Sequence, residues 1–168
     1  MSLDSNPYDG TWGDLRVCLC PVDWVNDIPT PDFSQVIYAF PPIGSVKPRK
    51  AAKFNEREIE KSKPRTSRLE LMGFESGEVE FDIEIISDEE GSGGDDTALD
   101  KFAALSTKFL TPDSKGRNQV FGLQYPTSDA LRIEMVFITA LEPEDTPGED
   151  TLRVHCVLRE VLQGQEVG

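Results

Sequence analysis

Residues 78–87, EVEFDIEIIS, alternate between acidic and apolar side chains. Val79, Phe81, Ile83 and Ile85 fall on one face of an extended chain, and Glu78, Glu80, Asp82 and Glu84 on the other. Strict period-two alternation predicts a strand buried on one face. The same period returns in TLRVHCVLREVLQG (151–164), where Leu152, Val154, Cys156 and Leu158 oppose Arg153, His155, Val157 and Arg159. Shorter strands are predicted in LRVCLC (15–20), QVIYAFPP (35–42) and NQVFGLQYP (118–126). DALRIEMVFITALEPE (129–144) reads as one long strand, with a bulge near Met135 to reconcile its competing apolar residues. SRLELMGF (67–74) is expected to form a hairpin with 78–87, with Gly73 and Gly77 near the turn.

One stretch changes period. In DTALDKFAALSTKFL (96–110), Leu99, Phe102, Leu105 and Phe109 recur every three or four residues. This predicts an amphipathic helix over 97–110, capped by Asp96 or Thr97 and ended before Pro112. Strands on either side of a single helix predict an antiparallel α+β fold. No internal repeat and no separate second domain is visible.

Charge divides the chain unevenly. The net charge is −14 over 168 residues. Residues 44–65 hold Lys47, Arg49, Lys50, Lys53, Arg57, Lys61, Lys63 and Arg65 against Glu56, Glu58 and Glu60, a charge of +5 beside −19 for the remainder. This segment reads as an exposed basic arm or long loop, with one helical turn around NEREIEK. The expected organisation is an N-terminal extension with the first strands (1–43), the arm (44–65), a β core with its helix (66–164) and a short tail (165–168). A strongly acidic chain repels nucleic acid, so sequence-specific nucleic-acid binding is not expected. The apolar runs are too short to span a membrane. The start, MSLDSNPYDGTWGDL, shows no basic region followed by an apolar stretch, which points to synthesis in a cytoplasm. Cys18, Cys20 and Cys156 are read as reduced, small, buried hydrophobes.

Candidate chemistry is sparse. SDEEGSGGDD (87–96) offers oxygen ligands, but counted from Asp88 it places Leu99 where a helix–loop–helix calcium site needs its twelfth ligand, a glutamate. It reads as a solvated turn. Glu78, Glu80, Asp82 and Glu84 would suit paired-carboxylate hydrolysis only beside an aromatic cleft, and none is apparent. His155 and Cys156 point to opposite faces of a strand, so they form no nucleophile–base pair. A zinc site from Cys18, Cys20 and His155 lacks a fourth ligand and any CxxC spacing. No phosphate loop, GxSxG elbow or HExxH motif occurs. The expectation is no catalysis, no cofactor and no metal. The basic arm suits an acidic surface, and the body of a second copy supplies one, giving a head-to-tail contact.

Three pieces together resemble the tail-tube-like baseplate proteins of contractile phage tails and related injection machines. They are RLELMGFESGEVEFDIEIIS, the helix TALDKFAALSTKF, and the closing strands QVFGLQYP, LRIEMVFITAL and LRVHCVLREVL. The resemblance spans residues 66 to 162 and is similar to the group that clamps tube to hub and often carries a LysM module. It implies two packed antiparallel sheets with a flanking helix. It further implies a homo-oligomeric ring, commonly six-fold, and contacts with tail tube, hub and other baseplate proteins. A virion location, assembly in the host cytoplasm and an acidic surface facing the DNA channel follow from it too. Only QGQEVG follows LREVL, so a LysM module and peptidoglycan binding are not expected. The alternatives are a stand-alone acidic β-sandwich that binds a peptide or glycan, and an enzyme using the carboxylate row.

Overall fold

The computed structural model describes residues 16–59, 66–88, 96–146 and 150–162, with backbone alone for 54–59 and 66–72. Eleven strands and two helices are described: β1 Val17–Cys20, β2 Val22–Val25, β3 Ile28–Pro31, β4 Tyr38–Phe40, β5 Ile43–Arg49, β6 Ala52–Ile59, β7 Thr66–Phe74, β8 Glu78–Ile86, α1 Ala98–Leu110, β9 Phe121–Gln124, α2 Pro126–Ala130, β10 Met135–Glu144 and β11 Thr151–Glu160. Seven strands form one antiparallel sheet in the order β4-β1-β9-β10-β11-β8-β5, while β2–β3 and β6–β7 are separate two-stranded ribbons. The chain is therefore an antiparallel α+β fold.

The sheet curls on itself without closing into a barrel. β4 is one edge strand and β8 lies next to the other edge, yet Phe40 of β4 reaches Phe81 of β8. Phe109 of α1 joins the cluster, packing on Tyr38, Phe40 and Phe121. Around this aromatic cluster lie Leu19, Leu123, Val136, Val154 and Leu158, each essentially inaccessible to water. The alternating faces of β8 and β11 behave as their period predicts, with Val79, Phe81 and Ile83 inward opposite Leu158, Cys156 and Val154.

Helix α1 starts where its cap predicts. The Thr97 hydroxyl accepts from the Asp100 amide, and the Asp100 carboxylate accepts from the Thr97 amide, a reciprocal capping box. Phe102, Leu105 and Phe109 pack on the core as expected, but the first position of the stripe is Ala98, which is buried, while Leu99 is 69% exposed.

Four elements differ from the sequence reading. Residues 67–74 pair with β6 and not with β8; β8 lies between β11 and β5. Residues 55–59 of NEREIEK are extended in β6 and not helical, because pairing with β7 satisfies their backbone; residues 60 and 61 lie outside the described residues. The core sheet begins well before residue 66, since β1, β4 and β5 belong to it, and β7 belongs to the arm. The long strand of 129–144 is broken: Pro126–Ala130 is a short helix, and the bulge falls at Thr139 and not near Met135.

The unanticipated β2–β3 hairpin turns through Asn26 and Asp27, both at positive φ as a two-residue hairpin turn requires. It covers the outer face of β1 and β9. A side chain at Gly122 would collide with Pro31, Phe33 and Cys20. Arg117 stacks over the Trp24 ring, 3.6 Å from its centroid, and bonds Asp113, which ties the ribbon to the loop after α1.

Candidate functional site

Part of the basic segment is folded. Strands β6 and β7 form a two-stranded ribbon, and the backbone contacts described for it run chiefly between its own strands. Its eight cations have different surroundings. Lys47 and Arg49 lie on edge strand β5, in register with Glu80 and Glu78 of β8. Lys50 stands in the turn between β5 and β6. Lys53 is exposed at the start of β6, and Arg57 lies opposite Arg68 in the ribbon's register. Lys61, Lys63 and Arg65 fall outside the described residues.

Lys50 is engaged within its own chain. Its ammonium lies 3.1 Å from Glu160 Oε2, and the Gly77 amide donates to Glu160 Oε1 at 3.0 Å. Glu160 is only 4% exposed. The reason is positional: it continues the inward row Leu152, Val154, Cys156, Leu158 of β11, so period two sends a carboxylate into the protein. Two backbone bonds brace the same place, Glu160 N–H to Gly77 O at 2.8 Å and Glu75 N–H to Ala51 O at 2.8 Å. Gly77 has no room for a side chain, since a Cβ would lie 2.7 Å from Ile133 Cδ1. The sequence signal for this site was present as a glutamate on the apolar side of an alternating strand, and the sequence reading overlooked it.

The acidic row of β8 is not free-standing. It runs between Lys47 and Arg49 on one side and Arg153, His155 and Arg159 on the other. Asp82 receives Arg153 at 2.9 Å and His155 Nδ1 at 2.6 Å, and Glu80 lies 3.9 Å from His155 Nε2. The hydrogen bond from His155 holds the Asp82 carboxyl below its usual range, assisted by Arg153. The face is a mixed-charge ladder whose cross-strand pairs stabilise the sheet.

The acidic turn has a structural duty at its base. Asp88 pairs with Lys101 at 2.7 Å and accepts from the Asp96 amide, and its own amide donates to Asp96 O. Lys101 is also the main reason the Asp88 carboxyl is acidified. Residues 89–95 lie outside the described residues.

The cysteines are enclosed. Cys18 and Cys20 are buried in β1, Cys20 beside Gly122, and Cys156 faces the core. Burial raises all three thiols, Cys20 to about 11 and Cys156 to about 12. Among the described residues no group of three or more His, Cys, Asp or Glu is arranged to hold a metal ion. None of the described helices is long and apolar enough to cross a membrane.

Charge is segregated along the strands. At the root of the ribbon, Arg49, Lys53 and Arg159 make no ion pair among the described residues and line an open cleft of about 470 Å³ with Phe74, Glu78 and Leu162. At the far end of the same strands, Glu84, Glu142, Glu144, Asp145 and Asp150 are all exposed. From Glu78 to Glu84 along β8 is about 20 Å at ordinary strand rise. One end of the sheet is rich in unpaired cations and the other in exposed carboxylates.

Among solved structures, one chain described as "Tail of empty GTA particle computed with helical refinement, C6 symmetry" is similar at 9% identity, with a TM-score of 0.42, over 82% of this chain and 90% of that chain. A likeness that weak assigns no function. No family model matches the sequence, and no curated protein does.

Proposed function

We propose that the chain is a structural subunit of a phage-tail-like assembly, a tube-like adaptor between tail tube and baseplate hub. It acts by binding copies of itself and its neighbours, and it is not an enzyme. The observation that carries the assembly reading is the polarity of the sheet. A basic end with a projecting ribbon and an acidic end stand on one chain, so the acidic end of one copy complements the basic end of the next. Two different patches that complement each other make a heterologous contact, which closes into a ring or extends as a stack. The arm cations with no described partner in their own chain, Lys53 foremost, would serve such a contact, together with Arg57, Lys61, Lys63 and Arg65. Lys50 would serve it only indirectly, since Glu160 holds it.

The tail and baseplate setting rests on the resemblance of residues 66–162. Six-fold closure, a virion location, assembly in the host cytoplasm and an acidic face toward DNA belong to the same reading. The carboxylate row supports a non-catalytic role, because Asp82 already holds Arg153 and His155.

A second reading is favoured by the arm-root cleft. Its cations and the exposed Phe74 and Leu162 would suit a peptide with acidic and apolar side chains.

The test is sedimentation of a lysate from the source culture, probed with an antibody to this chain, followed by immunogold microscopy of the fast fraction. Label at one end of a tailed particle is the expected result. A chain that remains a small soluble species would overturn the assembly reading and turn attention to the cleft.

A further inference from the structure

We infer that Glu160 and Lys50 form a latch that fixes the direction in which the β6–β7 ribbon leaves the body. The ribbon needs such a device because, among the described residues, its backbone contacts run chiefly between its own two strands, so its orientation is decided at its root. The root has two strands. Lys50 stands just before β6, and Gly77 comes shortly after β7. Glu160 holds both: one carboxylate oxygen takes the Lys50 ammonium and the other takes the Gly77 amide. A leucine at this position would fill the core equally well and fix no angle. Hydrogen bonds are directional, and a buried carboxylate is tolerated only when it is paired and bonded. The two oxygens therefore set the ribbon's base in a defined plane relative to β8 and β11.

The surroundings make this base stiff. The Glu75 amide closes the ribbon onto Ala51 O, and Gly77 packs so tightly on Ile133 that no side chain fits. A ribbon held this way reaches a neighbour already oriented. Association then loses less conformational freedom than it would with a swinging arm. This consequence rests on the assembly reading, whereas the latch itself does not.

The experiment places spin labels at cysteines introduced at Asn55 on the ribbon and Glu134 on the body, leaving the buried native cysteines in place. Four proteins are compared: the parent, Lys50→Arg, Lys50→Met and Glu160→Gln. Glu160→Gln keeps an acceptor for Gly77 and loses the ion pair, and Lys50→Arg keeps the ion pair. The parent and Lys50→Arg should give one narrow distance distribution. Lys50→Met and Glu160→Gln should widen it about two-fold, with amide protection of β8 and β11 unchanged. If Glu160→Gln fails to fold, Lys50→Met decides alone. A distribution as narrow in Lys50→Met as in the parent overturns the latch. Incorporation into sedimenting particles is scored in parallel. A wide distribution with normal incorporation keeps the latch and refutes a need for an oriented arm in assembly.

Discussion

Phe40 and Phe81 have ring centroids 6.2 Å apart, although β4 is one edge of the seven-stranded sheet and β8 lies next to the other. The contact joins the two halves of the curled sheet, with Phe109 as the third ring. Removing it should loosen the curl. Phe81→Ala is expected to cost about 3–5 kcal/mol, as for other large buried aromatics, and Phe40→Ala less, because that ring is partly exposed. In urea unfolding the double variant should lose less than the sum of the two singles, since they share a contact. Strict additivity would show that the curl is held elsewhere.

Asp82 gives the sheet a calculable acid response. His155 and Arg153 hold its carboxyl below the ordinary value of 3.8. A carboxyl acidified by folding stabilises the fold when ionised. That contribution is complete above the unfolded value and is lost as pH falls through the folded one. Unfolding free energies of the parent and Asp82→Asn should therefore differ by a constant amount from neutral pH down to about 4, and converge below it. A gap that persists unchanged in stronger acid would mean that Asp82 acts through packing and not through charge.

The buried thiols respond in the opposite direction. Burial pushes Cys20 to about 11 and Cys156 to about 12, from an ordinary 9.0. The protonated thiols suit the fold below the unfolded value, and stability drains away as pH rises from there through the folded values. Below that window no native thiol should react with an aromatic disulfide reagent, while all three react once the chain is unfolded. Native-state reaction at the rate of a free thiol would place a cysteine at the surface.

What could be read from the sequence was what local pattern controls. The inward rows of β8 and β11 and the start of α1 at Thr97 each depend on side chains a few residues apart. Pairing partners do not. Gly73 and Gly77 looked like a hairpin turn between β7 and β8, but β7 turns back to β6, a choice made by the whole ribbon. NEREIEK carries charges at helical spacing, yet residues 55–59 of it are a strand, because a partner strand outweighs weak helical preference. The β2–β3 hairpin escaped notice because its strands are four residues long and hold Pro29 and Pro31. The proposed contact surface was half legible. The excess of cations in 44–65 pointed to that segment, whereas Glu160 and Arg159, which stand near Lys50 and Arg49, sit about a hundred residues away in sequence.

The segregation of charge along the strands yields the most direct test of assembly. Arg49 and Arg159 flank Glu78 at the arm root without an ion pair of their own, and Glu142 and Glu144 are exposed at the opposite end. Neither pair touches the core, but each residue lies opposite a charged or titratable neighbour in register, so reversing their charge should lower the monomer's melting temperature modestly and leave it folded. Arg49→Glu with Arg159→Glu should block self-association by placing like charges at the contact. So should Glu142→Lys with Glu144→Lys. Mixing the two variants should restore it, because each then offers one unaltered complementary end or a reversed but matching one. An open contact of this kind would stop at dimers or short oligomers unless both reversed ends meet, so analytical ultracentrifugation of the mixture distinguishes pairing from nonspecific attraction. The contact should also weaken steeply with added salt, as expected for charges at a solvated interface. Self-association that survives both reversals would remove the complementary ends from the mechanism and leave the ribbon as the sole candidate for subunit contact.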